Sequence, residues 1–124
     1  MQTILVTGGC GYIGAHTIVD LIENGFNVIS LDNLSRASDN SLLGIEKITG
    51  KKIKNYKVDL TDKVATETVF KENPNIIGII HFAAYKAVGE SVEKPLEYYE
   101  NNLFSLVNLL QMAVKYNATH FIFS

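Results

Sequence analysis

Gly8, Gly9, Gly11 and Gly14 crowd the stretch ILVTGGCGYIGAHT. The chemistry such a cluster serves is anion binding through the backbone. A pyrophosphate can approach a chain closely only where no Cβ stands in the way. If a helix begins at that point, its unused N–H groups and the positive end of its dipole stabilise the charge. Asp32, in VISLDN, follows Gly14 by 18 residues. A carboxylate near that distance, at the end of a second strand, can accept hydrogen bonds from both hydroxyls of a ribose. Glycines alone could mark nothing more than a tight strand–helix turn. With Asp32 they predict a dinucleotide site. The glycines fit two spacings, Gly9-x-Gly11-x-x-Gly14 and Gly8-x-x-Gly11-x-x-Gly14, and both stay open at this point.

The elements that must hold these residues are legible as short apolar runs alternating with amphipathic ones. Thr3–Thr7, Asn27–Leu31, Lys54–Val58, Ile76–Phe82 and His120–Phe123 read as strands. Most are apolar without alternation, as expected of a sheet covered on both faces. Helices are predicted over about Tyr12–Asn24, Asp62–Glu72 and Pro95–Tyr116, with a shorter one near Ser41–Ile48 inside the polar stretch 35–52. Gly25 is placed as a left-handed cap, and Asn73-Pro74 stops the helix before it. Leu103, Leu106, Val107, Leu110 and Val114 recur at spacings of three and four, giving one apolar face that serves either core or interface. The order of elements predicts an α/β fold: a Rossmann-type, doubly wound parallel sheet.

The chain has 124 residues, enough for one domain, and 47% hydrophobic residues fill a core. A net charge of -2 gives no electrostatic case for nucleic acid or an anionic membrane. No apolar run has the length of a transmembrane helix. The first strand starts at Thr3, so no signal peptide is expected before it. A single cysteine, Cys10, can form no internal disulfide and agrees with a reducing compartment. The cytoplasm is the expected location.

HFAAYKAVGESVEKPLEYYENN (81–102), together with TGGCGYIGAHT and LDNLS, closely resembles the UDP-glucose 4-epimerases, also called UDP-galactose 4-epimerases. These belong to the extended short-chain dehydrogenase/reductases, whose opening pattern is the Gly8-x-x-Gly11-x-x-Gly14 spacing. The resemblance runs from Ile4 to Ser124. It implies tightly held NAD and interconversion of UDP-glucose and UDP-galactose through a 4-keto sugar, a step of galactose metabolism. It also implies a homodimer built by pairing two helices of each subunit into a four-helix bundle, with Pro95–Tyr116 as one of the two.

The resemblance implies roles residue by residue. Backbone N–H groups of Tyr12 and Ile13 should face the pyrophosphate, and Asp32 with Asn33 should hold the adenosine ribose. Asp59 should meet the adenine amino group, with the Leu60 backbone beside it. Phe82, Ala83 and Ala84 should line the crevice, Lys86 should bond the nicotinamide-side ribose, and Asn101 should contact the cofactor region from below. Arg36 and Ala37 depart from the family's Asn and Ser. An arginine there could accommodate the 2′-phosphate of NADP; Asp32 opposes that phosphate electrostatically.

The resemblance places the catalytic serine, tyrosine and lysine beyond Ser124, with the rest of the sheet and the substrate domain. Residues 1–124 are then the N-terminal part of the NAD-binding domain, a fragment truncated after the fifth strand and expected to be inactive alone. That strand is expected to leave an apolar sheet edge. A non-catalytic NAD-binding module and a related sugar-nucleotide dehydratase or epimerase are the alternatives. Plainer roles compete at single residues. Cys10 reads as a small filler and His81 as a structural imidazole. Asp59 could instead cap the helix after it, with Thr61 competing for that position. His16 and His120 show no metal-ligand spacing.

Overall fold

The structure, a computed structural model, describes residues 2–33, 40–82 and 95–123. Five parallel strands form one sheet: β1 (Thr3–Thr7), β2 (Asn27–Leu31), β3 (Asn55–Tyr56), β4 (Ile76–His81) and β5 (His120–Phe123). Their spatial order is β3-β2-β1-β4-β5. The chain runs outward from β1 to β3, then crosses back to place β4 on the other side of β1. The order therefore reverses between β1 and β4, and a doubly wound sheet opens a crevice at the carboxyl ends of two such strands.

Helices cover both faces. Val6 and Ile4 point to the side of α1 (Tyr12–Glu23) and α2 (Asn40–Thr49), where they pack with Ile18, Ile22, Val28 and Ile45. Leu5 points the other way, into a cluster with Phe70 of α3 (Lys63–Glu72) and Leu109 of α4 (Pro95–Lys115). Alternate residues of β1 thus feed opposite cores, and all five are buried, which is why the strand shows no polar alternation.

The termini of the helices explain where they stop. Gly25 adopts φ 87°, its N–H reaches the Ile22 carbonyl, and the Phe26 N–H reaches that of Leu21. This paired closure needs a left-handed residue, which glycine supplies without steric cost. Asn117, at φ 59°, closes α4 in the same manner, with the Ala118 N–H on the Ala113 carbonyl.

α3 and β3 depart from their expected bounds. α3 begins at Lys63, because the Asp62 side chain caps it by accepting from the Ala65 N–H at 3.1 Å. Neither Asp59 nor Thr61 holds that position. β3 is only Asn55–Tyr56, since the Val58 N–H turns back to the Tyr56 carbonyl at 3.0 Å and leaves the ladder. α4 buries Ser105, Leu109, Met112 and Ala113, while Leu103, Val107, Leu110 and Val114 lie on its outer side. Of the stripe read from the sequence only Leu106 is half-buried, so of its two expected roles, core or interface, the other four residues do not serve the core. Among the described residues β5 is an edge strand, with Ile122 and Phe123 more than half exposed.

The middle of α3 is tied to the C-terminal end of α4. Glu67 accepts from the Lys115 ammonium and, at 2.8 Å, from the Tyr116 hydroxyl. The Lys115 hydrogen bond, then that of Tyr116, holds the Glu67 carboxyl below its ordinary value. The cap of α3 is open to a direct test. Asp62→Ala should cost about 1 kcal/mol in chemical denaturation, the usual worth of an N-cap carboxylate.

Candidate functional site

The turn after β1 is built around carbonyls and glycines. Gly8 sits at φ 73°, a left-handed position, and its N–H donates to the Leu31 carbonyl at 2.8 Å. The Gly8 carbonyl folds back to accept the Gly11 N–H at 3.1 Å. α1 then packs so tightly on this turn that a Cβ on Gly14 would enter the Gly8 carbonyl oxygen and lie 3.0 Å from Gly9 Cα. Gly9 serves another purpose. A Cβ there would collide inward with Ser30 Oγ and stand 2.9 Å from Ile18 Cδ1. Gly8, Gly11 and Gly14 thus form the cradle, and Gly9 lets the turn settle on the core.

Gly11 is the extended N-cap of α1 and offers no side-chain cap. The first turn of α1 carries no acidic residue, so nothing in it opposes an anion at the positive end of the dipole. Tyr12 and Ile13 begin the helix, where N–H groups have no intrahelical acceptor. Tyr12 is 81% exposed, and its ring meets His16 edge-on at 4.6 Å between centroids.

Asp32 lies beside the cradle at the end of β2. Only 9% exposed, it accepts the Cys10 N–H on Oδ2 at 3.1 Å. Its own backbone is held on the other side, the N–H by the Tyr56 carbonyl at 3.1 Å and the carbonyl by Asn55 Nδ2 at 3.3 Å. Ser30 Oγ donates to Asn55 Oδ1 at 2.8 Å and completes the support. The carboxylate is thus fixed over the glycine turn, and half-buried Asn33 follows it.

Across the switch point, Thr7 Oγ1 and His81 Nδ1 share a hydrogen bond of 2.6 Å. The Phe82 N–H donates to both the carbonyl and Oγ1 of Thr7. His81 is 1% exposed and packs against Phe121 and Phe123, so the structural reading of this imidazole holds. The pair pins β1 to β4 where the crevice opens, and Phe82 sits at its lip.

A third group lies on the loop before α3. Asp59 Oδ1 accepts the Thr61 N–H at 2.9 Å and the Thr61 hydroxyl at 2.8 Å. Leu60 turns its side chain into the core while its carbonyl accepts from Asn108 Nδ2 of α4 at 2.7 Å. Asn101, half-buried on α4, donates from Nδ2 to Asn102 Oδ1 at 3.3 Å. Ala83, Ala84 and Lys86 lie outside the described residues, as do Arg36 and Ala37.

Thr7, Ser30, Asn55 and Asn108 support the site and carry no local signal. Their partners stand tens of residues away, and only the sheet brings them together. The described arrangement can hold an anion on the backbone and a diol on Asp32.

A model of the NAD dependent epimerase/dehydratase family matches residues 4–124. A UDP-glucose 4-epimerase of Schizosaccharomyces pombe is 51% identical over 122 residues, 98% of this chain and 34% of the relative. One of Bacillus subtilis is 49% identical over 123 residues, 99% of this chain and 36% of the relative. The crystal structure of the Bifidobacterium longum UDP-glucose 4-epimerase, in complex with NAD+ and UDP, superposes with a TM-score of 0.95 at 50% identity. It too matches 99% of this chain and 36% of its own. The chain spans about a third of the length of these relatives.

Proposed function

This chain belongs to the NAD dependent epimerase/dehydratase family, and from that premise we propose that it is the NAD-binding part of a UDP-glucose 4-epimerase. The observation that carries the reading is the cradle itself. Gly8 takes a left-handed φ of 73°, a Cβ on Gly14 would enter the Gly8 carbonyl oxygen and one on Gly11 would stand 3.3 Å from it, and Asp32 is anchored beside this turn by the Cys10 N–H. This arrangement occurs in a chain half identical to UDP-glucose 4-epimerases, one of them solved with NAD+ and UDP.

The residues fit the cofactor. The N–H groups of Tyr12 and Ile13 receive the pyrophosphate, and Asp32 with Asn33 receives the adenosine ribose. Asp59 and the Leu60 backbone meet the adenine. Phe82, Ala83, Ala84 and Lys86 attend the nicotinamide half, and Asn101 borders the cofactor region. NAD bound there supplies a hydride acceptor and donor for C4 of the sugar. A buried carboxylate at residue 32 disfavours a 2′-phosphate, which supports NAD over NADP. The complete protein interconverts UDP-glucose and UDP-galactose, with the proton-transfer groups supplied from beyond Ser124. It pairs as a homodimer through the outer stripe of α4. No helix among the described residues is long and apolar enough to cross a membrane. We place the protein in the cytoplasm, with which the one cysteine of these 124 residues, able to form no disulfide within them, agrees.

The test uses the full-length protein. It should release NAD on denaturation and interconvert the two UDP-sugars; a protein that carries no NAD and acts on neither sugar would overturn the reading. Asp32→Asn keeps an acceptor for the Cys10 N–H and removes the charge. It should weaken NAD binding by about 10- to 150-fold, the worth of a hydrogen bond to a charged group. It should also narrow the preference for NAD over NADP, with little change in melting temperature. Unchanged NAD binding would remove Asp32 from the ribose.

A further inference from the structure

Asn108 is a helix residue that no glycine motif or crevice motif includes, yet its amide reaches the loop that carries Asp59. We propose that Asn108 is a positioning residue for adenine recognition, acting through one peptide plane on the Asp59 carboxylate. The inference rests on the proposed reading that Asp59 meets the adenine amino group.

The connection is continuous. Asn108 Nδ2 donates to the Leu60 carbonyl at 2.7 Å. The same peptide group carries the Thr61 N–H, which donates to Asp59 Oδ1 at 2.9 Å. The chain has no cis peptide among the described residues. A trans peptide is planar, with its carbonyl and N–H opposed, so a tilt at one end is a tilt at the other. Asn108 therefore grips the carbonyl end while Asp59 is held at the N–H end. The Thr61 hydroxyl adds a second hydrogen bond to the same carboxylate oxygen at 2.8 Å. Among the described residues no hydrogen bond reaches Asp59 Oδ2, and the residue is exposed. Asp59 thus has one oxygen committed to its own loop and one directed outward. The direction of the second follows from the grip on the first.

The Leu60 side chain reinforces the arrangement. It is 4% exposed and packs in the cluster shared by α3 and α4. The backbone at residue 60 is therefore held from the core side by burial and from α4 by Asn108. A carboxylate aimed by such a frame discriminates a donor from an acceptor. An adenine amino group donates to it. The carbonyl of hypoxanthine at the same place repels it.

That contrast gives a readout that loss of packing alone does not move. The ratio of affinities for NAD and for nicotinamide hypoxanthine dinucleotide is measured on the cofactor-stripped full-length protein. Asp59→Asn tests the adenine reading and should lower the ratio. Asn108→Leu keeps the branched shape at a somewhat larger volume and removes the donor; it should lower the ratio roughly fivefold, the scale of one misaligned hydrogen bond. Asn108→Gln, with the amide on a longer arm, should recover part of the loss. If Asn108→Leu does not fold, Asn108→Ala removes the donor without adding bulk. A wild-type ratio in the Asn108 donor-loss variants, with a lowered ratio in Asp59→Asn, overturns the positioning role and leaves the adenine reading intact. A wild-type ratio in Asp59→Asn overturns both.

Discussion

Gly14→Ala in the full-length protein is expected to lose NAD by at least about 100-fold while Gly44→Ala loses none. The two glycines both lie inside helices, so propensity favours alanine at each. What differs is the space. At Gly44 a Cβ meets nothing within 4 Å. Removing a flexible residue from the middle of α2 should then stabilise the protein by about 0.5–1 kcal/mol. At Gly14 a Cβ enters the Gly8 carbonyl. That carbonyl cannot yield alone, because it already accepts the Gly11 N–H, and the Gly8 N–H is bound to Leu31. Either α1 lifts from the turn or the turn opens. Overpacking of this kind costs about 1–3 kcal/mol in stability. The larger effect is expected on binding, because the N–H groups of Tyr12 and Ile13 proposed to face the pyrophosphate begin the helix that is forced off the turn. Calorimetric titration of NAD on both variants, with a melting curve for each, reads both effects. A Gly14→Ala protein that binds NAD normally would place the pyrophosphate elsewhere.

The same geometry shows which parts of the fold were legible beforehand. β1, β2 and β5 are found at their expected bounds, because strands of a parallel sheet are apolar runs bounded by polar residues. The cradle was legible because close backbone approach demands glycine whatever the rest of the chain does. β3 was overextended, since Lys54–Val58 looks like a strand but Val58 leaves the ladder by a local turn. Before Lys63 the sequence reads Asp59 or Thr61 as the cap and Asp62 as the first helical residue. Only the backbone direction made Asp62 the cap and closed Asp59 onto Thr61. The supports of the site were not legible at all. Thr7 and His81 are 74 residues apart and Asn108 and Leu60 are 48 apart, so no spacing rule connects them.

α4 shows how periodicity can identify a face without saying what covers it. Leu103, Val107, Leu110 and Val114 give the stronger apolar signal, yet the face turned to the core includes Ser105 and Ala113, which contribute little hydrophobic signal. Small residues let the helix lie close to the sheet. The larger ones remain outside, with Leu103, Val107 and Leu110 each about 40% exposed and Phe104 51% exposed. Spacings of four, three and four are those of a coiled-coil seam. If that seam is where two copies pair, Val107→Glu should dissociate the dimer. A two-fold interface repeats every substitution, so one change buries two like charges against apolar partners. Dimer dissociation should rise by at least about 100-fold, giving monomer in sedimentation at concentrations where the wild type is paired. Val114→Glu should act more weakly, because Val114 is 81% exposed at the end of the stripe. NAD binding should survive both, since neither side chain takes part in the described hydrogen bonds of the cradle, of Asp32 or of the Asp59 loop. A Val107→Glu protein that sediments as the wild type would move the dimer seam off α4 and leave its apolar stripe without that explanation.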